Sequence, residues 1–204
     1  MFNNGDVVSC VITSSNICAT ANTAGSNDIM MNVAPQATPS ATISASANNI
    51  CSGTPVMFTV IPTNGGNSPS FQWFVNGIKS GSNSAIFTSS TLNNNDSIYC
   101  IMISSLSCTI PVSSSTLHVI VYPLPLVSFI PDTVFTSVNN GVQLTPAITG
   151  AIKYQWTPAS GLSNTTIANP VANPLNDITY QLLVTTNNGC IATAKVTVIS
   201  GRPL

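Results

Sequence analysis

The sequence predicts an all-β fold, a tandem array of β-sandwiches, on three observations: a composition hostile to helix, apolar residues at period two, and internal copies of one segment. Thr, Ser, Asn, Val, Ile, Gly and Pro dominate, glutamate is absent, and Lys and Arg together number four in 204 residues. Such side chains favour pleated strands and turns, while the strong helix formers are scarce. Period two is clearest where Ile178, Tyr180, Leu182 and Val184 alternate with Thr179, Gln181, Leu183 and Thr185. That is the pattern of a strand with one buried and one wet face.

The copies set the organisation. Laying residues 3–33 over 93–123 at an offset of 90 matches Asn3, Asn4, Asp6, Cys10, Ser14, Ser15 and Cys18 to Asn93, Asn94, Asp96, Cys100, Ser104, Ser105 and Cys108. A looser copy at an offset of 82 to 83 puts Phe71-Gln72-Trp73 over Tyr154-Gln155-Trp156 and Cys108 over Cys190. Repetition of this kind marks tandem modules. Boundaries fall at Val33-Ala34-Pro35 and Tyr122-Pro123-Leu124-Pro125, where proline removes backbone donors and ends strand pairing. Three modules are expected, at 1–34, 35–123 and 124–204.

The first module contains only what the second has after Asp96, so it is predicted to be the last two strands of a sandwich that lacks its earlier ones. An isolated hairpin is marginal in water. Strands in the second module are predicted at Thr42–Ala47, Val56–Ile61, Phe71–Asn76, Ala85–Thr88, Ser97–Ile103 and Thr109–Val121, with turns at Asn64-Gly65-Gly66 and Asn76-Gly77. In the third they are predicted at Val142–Ile148, Ile152–Thr157, Ile178–Thr186 and Ile191–Ile199, with Asn187-Asn188-Gly189 as the last turn. Strands of this length, with a tryptophan on the third, suit two facing antiparallel sheets. Trp73 and Trp156 are therefore predicted core residues. The run Val56 to Val60 followed by Trp73 resembles an immunoglobulin second strand and core tryptophan, with Val60 where antibodies carry cysteine.

Two longer signatures resemble modules of surface proteins from gliding Bacteroidota. Ile50-Cys51-Ser52-Gly53, Phe71 to Gly77 and Asn95 to Cys100 are similar to an immunoglobulin-like adhesin repeat. Tyr154 to Ser163, Thr179-Tyr180 and Asn188-Gly189-Cys190 resemble the PKD-like module that precedes a type IX secretion sorting domain. The resemblance implies export and display on the outer cell surface as an adhesin or stalk. Phe135 to Val138 depart from it, standing where a Cys-x-Gly is expected, and no sorting domain follows Leu204. Asp96-Ser97-Ile98 and Asp132-Thr133-Val134 are similar to the O-glycosylation signal of this group, which implies glycans at Ser97 and Thr133.

Six cysteines without metal-ligand spacing read as structural disulfides in an oxidising compartment. Cys10 and Cys18, like Cys100 and Cys108, are spaced to face each other across a last hairpin. Cys51 and Cys190 remain. In sandwiches stacked end to end, lower turns of one lie near upper hairpins of the next, which would let these two bridge the joint. Pairing of Cys51 with Cys100 or Cys108 is the rival arrangement and leaves Cys190 free.

Catalysis is not expected. Acid–base chemistry needs titratable groups gathered in one pocket, and the chain offers His118 and five scattered aspartates, Asp6, Asp28, Asp96, Asp132 and Asp177. No loop repeats carboxylates as a calcium site does, and no Gly-x-Ser-x-Gly elbow occurs. Neither a cofactor nor a metal is expected. Asp6, Asp96 and Asp177 read instead as turn-holding acceptors at the start of a strand. A charged fraction of 4%, against roughly 25% in ordinary globular proteins, cannot neutralise a run of phosphates, which disfavours nucleic acid and anionic membranes. The longest apolar stretch, 117–130, is broken by Pro123 and Pro125 and is too short to span a bilayer. The residues after Met1 lack an export signal, so an extracytoplasmic fold implies a piece of a longer polypeptide.

Three functions fit this reading. The first is an extracellular spacer or adhesin whose partners are neighbouring repeats and a surface ligand, with specificity in the loops Pro62–Ser70 and Pro158–Pro174. The second is an accessory carbohydrate-binding region, for which Tyr99, Tyr122 and Phe74 are candidates although the sequence shows no cluster. The third is a filament subunit that self-associates when the incomplete first module accepts a strand.

Overall fold

The computed structural model of the chain describes residues 2–15, 23–33, 37–137 and 140–201, and no helix occurs among them. They form an exposed hairpin followed by two β-sandwiches with separate cores.

In the hairpin, β1 (Val7–Val8) and β2 (Val11–Thr13) lead out, and β3 (Thr23–Gly25) and β4 (Ile29–Met30) return. β1 pairs with β4 and β2 with β3, both antiparallel. Midway, the Cys10 amide donates to Ser26 Oγ (2.9 Å) and the Ser26 amide donates to the Cys10 carbonyl (2.8 Å). At the base the Asn3 amide donates to Asp6 Oδ2 (2.7 Å), closing the turn that Gly5 carries at φ 88°.

The middle sandwich runs β5 (Ser40–Ala45), β6 (Asn49–Cys51), β7 (Val56–Thr63), β8 (Ser70–Val75), β9 (Ile78–Ser80), β10 (Ile86–Ser89), β11 (Ser97–Ile103), β12 (Val112–Ser113), β13 (Leu117–His118) and β14 (Ile120–Tyr122). One sheet has the order β10-β7-β5; the other is β9-β8-β11, with β12 and β13 both on the far side of β11. β14 runs parallel to β6. Alternate residues of β7 and β11 point inward, so Val56, Phe58, Val60, Ile98, Cys100 and Met102 meet in one core. Trp73 spans the two sheets, its ring 6.4 Å from Phe58 and 5.7 Å from Phe87.

The last sandwich comprises β15 (Leu126–Ser128), β16 (Thr133–Phe135), β17 (Val142–Gln143), β18 (Ala147–Thr149), β19 (Lys153–Thr157), β20 (Val171–Ala172), β21 (Ile178–Thr185) and β22 (Ile191–Ile199). Its main sheet is β16-β22-β21-β19, faced by the pairs β15-β18 and β17-β20. β16 lies parallel to β22, as β6 lies parallel to β14, so each sandwich pairs an early strand with its last one. Trp156, Tyr180, Leu182, Val196 and Val198 fill the core. The chain is thus all-β, a tandem of immunoglobulin-like sandwiches.

Two predicted strands are broken. Thr109–Val121 is three short strands, because Ser114 Oγ accepts the Cys100 amide (3.0 Å) and interrupts the ladder there. Val142–Ile148 is two, because Pro146 lies between β17 and β18 and cannot donate. The repeat also needs adjustment. The outward arm of the hairpin maps onto the middle sandwich at an offset of 90, but the return arm maps at 88, Ile29 onto Leu117 and Met30 onto His118, because the second copy has a shorter loop.

Candidate functional site

The feature that joins the two sandwiches is a disulfide. Cys51 ends β6 and Cys190 sits in the turn before β22; they are bonded with Cα atoms 5.6 Å apart across 139 positions of sequence. Each cysteine is held by its own turn. The Cys190 amide donates to Thr186 Oγ1 (3.0 Å) and its carbonyl accepts from the Thr186 amide (2.8 Å). Cys51 opposes Tyr122 in the parallel ladder, and the Ser52 amide donates to the Tyr122 carbonyl (2.9 Å). Tyr122 is where the chain leaves for the last sandwich, so the backbone and the disulfide cross the joint side by side. Two tethers remove the swivel that one linker would leave.

Cys100 and Cys108 do not form the expected hairpin bridge. Cys100 is buried beside Trp73 and has a free thiol, which burial pushes up to about 11. Cys108 is exposed and free, at φ 59°. The reason is hairpin width: the partner across from Cys100 is Ser114, and Cys108 lies out at the loop. Cys10 is exposed and carries no disulfide among the described residues, and Cys18 lies outside them.

Both tryptophans are fully buried, and each indole N–H donates to a backbone carbonyl eleven residues on, Trp73 to Ser84 and Trp156 to Ile167, both at 2.9 Å. Tyr180 is tied likewise, its hydroxyl donating to the Ser160 carbonyl (2.6 Å), and burial raises its pKa. These bonds brace the loops that follow β9 and β19. The loop 158–174 also closes on itself: the Asn173 amide donates to the Gly161 carbonyl (2.7 Å). Gly161 lies at φ 74°, and a side chain there would meet the Pro174 backbone at 2.7 Å. The loop 62–70 is pinned to the residues that follow β11, with Ser104 Oγ donating to the Asn64 carbonyl (2.8 Å) and the Ser105 amide to that of Gly65 (2.9 Å). Both loops are held surfaces.

The titratable groups stand apart. His118 lies on β13 opposite Ser97, and among the described residues no three of His, Cys, Asp and Glu are grouped to hold a metal. The aspartates brace turns: Asp96 accepts from the Asn93 amide (2.8 Å) and from Asn76 Nδ2 (2.7 Å), and Asp177 from the Ser200 amide (2.8 Å). Of the glycosylation candidates, Ser97 Oγ donates to Asn76 Oδ1 (3.2 Å) and Thr133 Oγ1 to Asp132 Oδ1 (3.3 Å), both half-buried.

One cluster was missed. Phe74 on β8 and Tyr99 on β11 are cross-strand partners on the sheet's outer face, stacked at 4.8 Å and 4°. Their parity, opposite to Trp73 and Cys100, was readable; their adjacency required the register between strands 25 residues apart.

No family model and no curated protein sequence matches this chain. Solved structures similar to it include the insect immune protein hemolin, at 13% identity and a TM-score of 0.47, covering 95% of this chain and 56% of hemolin. A C-terminal fragment of intimin, in complex with the intimin-binding domain of its translocated receptor, aligns at 10% identity and a TM-score of 0.42 over 81% of this chain and 65% of its own. A mixed-linkage glucan utilisation protein of Bacteroides ovatus, in complex with a heptasaccharide, aligns at 14% and 0.32 over 74% and 42%. This chain spans about half of hemolin's length.

Proposed function

We propose that the chain is a non-catalytic, extracellular spacer of a cell-surface protein, in which residues 35–123 and 124–204 act as one stiff unit and residues 1–34 as part of a further module. The observation that carries this reading is the Cys51–Cys190 disulfide across the joint. It belongs to an oxidising compartment, and it serves a chain that must hold its modules in line. A surface of hydroxyls and amides, with 4% charged residues, offers little for charged ligands. The pinned loops at 62–70 and 158–174 are the places such a spacer presents to a partner. The finer assignment, a type IX secreted adhesin of gliding Bacteroidota with a PKD-like last module and glycans at Ser97 and Thr133, rests on the sequence resemblance.

The test has two arms. Protease shaving of intact native cells should release peptides of this chain, with Cys51 and Cys190 linked under non-reducing conditions. Small-angle scattering of the chain should give one inter-sandwich distance that broadens in Cys51→Ser. A chain found only inside the cell, with both thiols free, ends the reading.

The carbohydrate-binding alternative has one observation behind it, the stacked Phe74 and Tyr99. Each ring has spent one face on the other, which leaves a single face of each for a sugar. Titration with soluble oligosaccharides, read at Tyr99 and lost in Phe74→Ala, decides it.

A further inference from the structure

We propose that the first hairpin is an acceptor for one further β-strand, an extended segment of the chemistry of β8: an apolar residue, then a tryptophan in register with Cys10, then another apolar residue followed directly by asparagine. This stands on hydrogen-bond register and holds whether or not the chain is a surface spacer.

The hairpin and the β11–β14 region of the middle sandwich make the same bonds. The Asn3 amide donates to Asp6 Oδ2 as that of Asn93 does to Asp96 Oδ2 (2.7 and 2.8 Å). The Gly5 amide donates to the Met31 carbonyl as that of Asn95 does to Val119 (2.8 and 2.9 Å). Cys10 and Ser26 exchange the two bonds that Cys100 and Ser114 exchange. The Val33 amide donates to Asn4 Oδ1 as that of Val121 does to Asn94 Oδ1, each at 3.1 Å. Residue equivalence is thereby fixed: Val8, Cys10 and Ile12 stand where Ile98, Cys100 and Met102 stand.

Their surroundings are opposite. Ile98 and Met102 are 0% exposed, whereas Val8 is 38% and Ile12 66% exposed. In the middle sandwich the outer edge of β11 is occupied by β8, antiparallel, with Val75 opposite Ile98, Trp73 opposite Cys100 and Phe71 opposite Met102. The same edge of β1 and β2 pairs with no strand among the described residues. An open edge beside an exposed apolar row is what strand addition uses.

A second feature names the occupant more closely. Where β8 ends, Asn76 Nδ2 donates to Asp96 Oδ1 (2.7 Å), its Oδ1 accepts from the Ser97 amide (2.9 Å), and its own amide donates to the Ser97 carbonyl (2.9 Å). Asp96 thus spends one oxygen on its own turn and the other on the incoming strand. Asp6 spends the equivalent oxygen on its turn, and no donor meets its Oδ1 among the described residues. The carboxylate, with the Val7 amide beside it, forms half of a clamp for an asparagine.

The probe is a synthetic peptide with the sequence of residues 68–79, titrated into the isotope-labelled whole chain. Saturable NMR shifts and slowed amide exchange should appear over Val7–Thr13. Replacing the peptide's Trp73 by Ser should weaken binding about tenfold. Asp6→Ala in the chain should weaken it about tenfold for the native peptide and leave unchanged the affinity for a peptide with Asn76→Ala, since the two changes remove the same charge-assisted bond. Val8→Asp with Ile12→Asp should abolish binding while the spectra of both sandwiches stay native. The proposal is overturned by no saturable shift, by equal binding of a peptide with its alternation moved one residue, or by protection of Val7–Thr13 that rises with chain concentration alone. That last result makes a second copy the occupant.

Discussion

The hairpin at 2–33 and the last hairpin of the middle sandwich are the same object in two environments. Their turn, cysteine–serine and return-arm bonds agree within a few tenths of an ångström, yet one buries its apolar row and the other leaves it in water. Short-range chemistry, an aspartate over a turn and a serine across from a cysteine, is enough to specify the shape. Burial is not local: it needs β8 alongside and the β5-β7-β10 sheet opposite. Stability should therefore separate the two copies even where their geometry does not.

The sharpest break comes from removing what one copy has and the other lacks. Trp73→Ala deletes the ring that holds β11 against Phe58 and Phe87 and should cost the middle sandwich about 3 to 5 kcal/mol. Urea unfolding followed by the remaining Trp156 and by near-ultraviolet dichroism should show two separated transitions. Next come the paired positions themselves. Met102→Ala should cost about 2 to 5 kcal/mol, and Ile12→Ala, its exposed counterpart, should stay within about 0.5 kcal/mol. Equal costs at the two sites would show that the hairpin is covered in solution.

Much of this contrast was legible from residues. Ala192 to Val198 alternate cleanly between apolar and polar positions, and the spans Ser97–Ile103 and Ile191–Ile199 form strands as predicted. The tryptophans were readable as core because a large ring on a third strand has nowhere else to go. What escaped was whatever depends on a partner distant in sequence. The parallel pairs β6-β14 and β16-β22 each match three residues, too few to show periodicity. Cys100 could be placed inside by parity, but its partner across the hairpin depends on loop length, which spacing alone misjudged by placing Cys108 there. The two-residue slip in the return arm has the same origin, since identities end at the loop. For Cys51 the residues left several partners open, and only the three-dimensional joint selects Cys190.

A smaller difference should separate the two aspartates. Asp96 is buried and holds both the Asn93 amide and Asn76 Nδ2, so Asp96→Ala strands two donors and should cost about 1 to 3 kcal/mol. Asp6 holds one donor in the open, and Asp6→Ala should cost about 0.5 kcal/mol at most. Amide exchange at Asn93 and Asn3 reads both losses directly.

The finest test uses the cysteine pair. Burial moves the Cys100 thiol from 9.0 to about 11, because a thiolate beside Trp73 would be stripped of water. The folded chain therefore keeps this proton over a range in which the unfolded chain releases it. Its stabilising contribution is complete below pH 9 and lost as pH rises toward 11. The urea midpoint of the middle sandwich should fall across that window in the native chain and stay flatter in Cys100→Ala. At pH 8, iodoacetamide should modify exposed Cys10 within minutes while Cys100 reacts only as the sandwich opens. Equal labelling of the two would mean that the β8 edge of β11 opens as freely as the edge of β1 and β2, and the contrast between the two hairpins would dissolve.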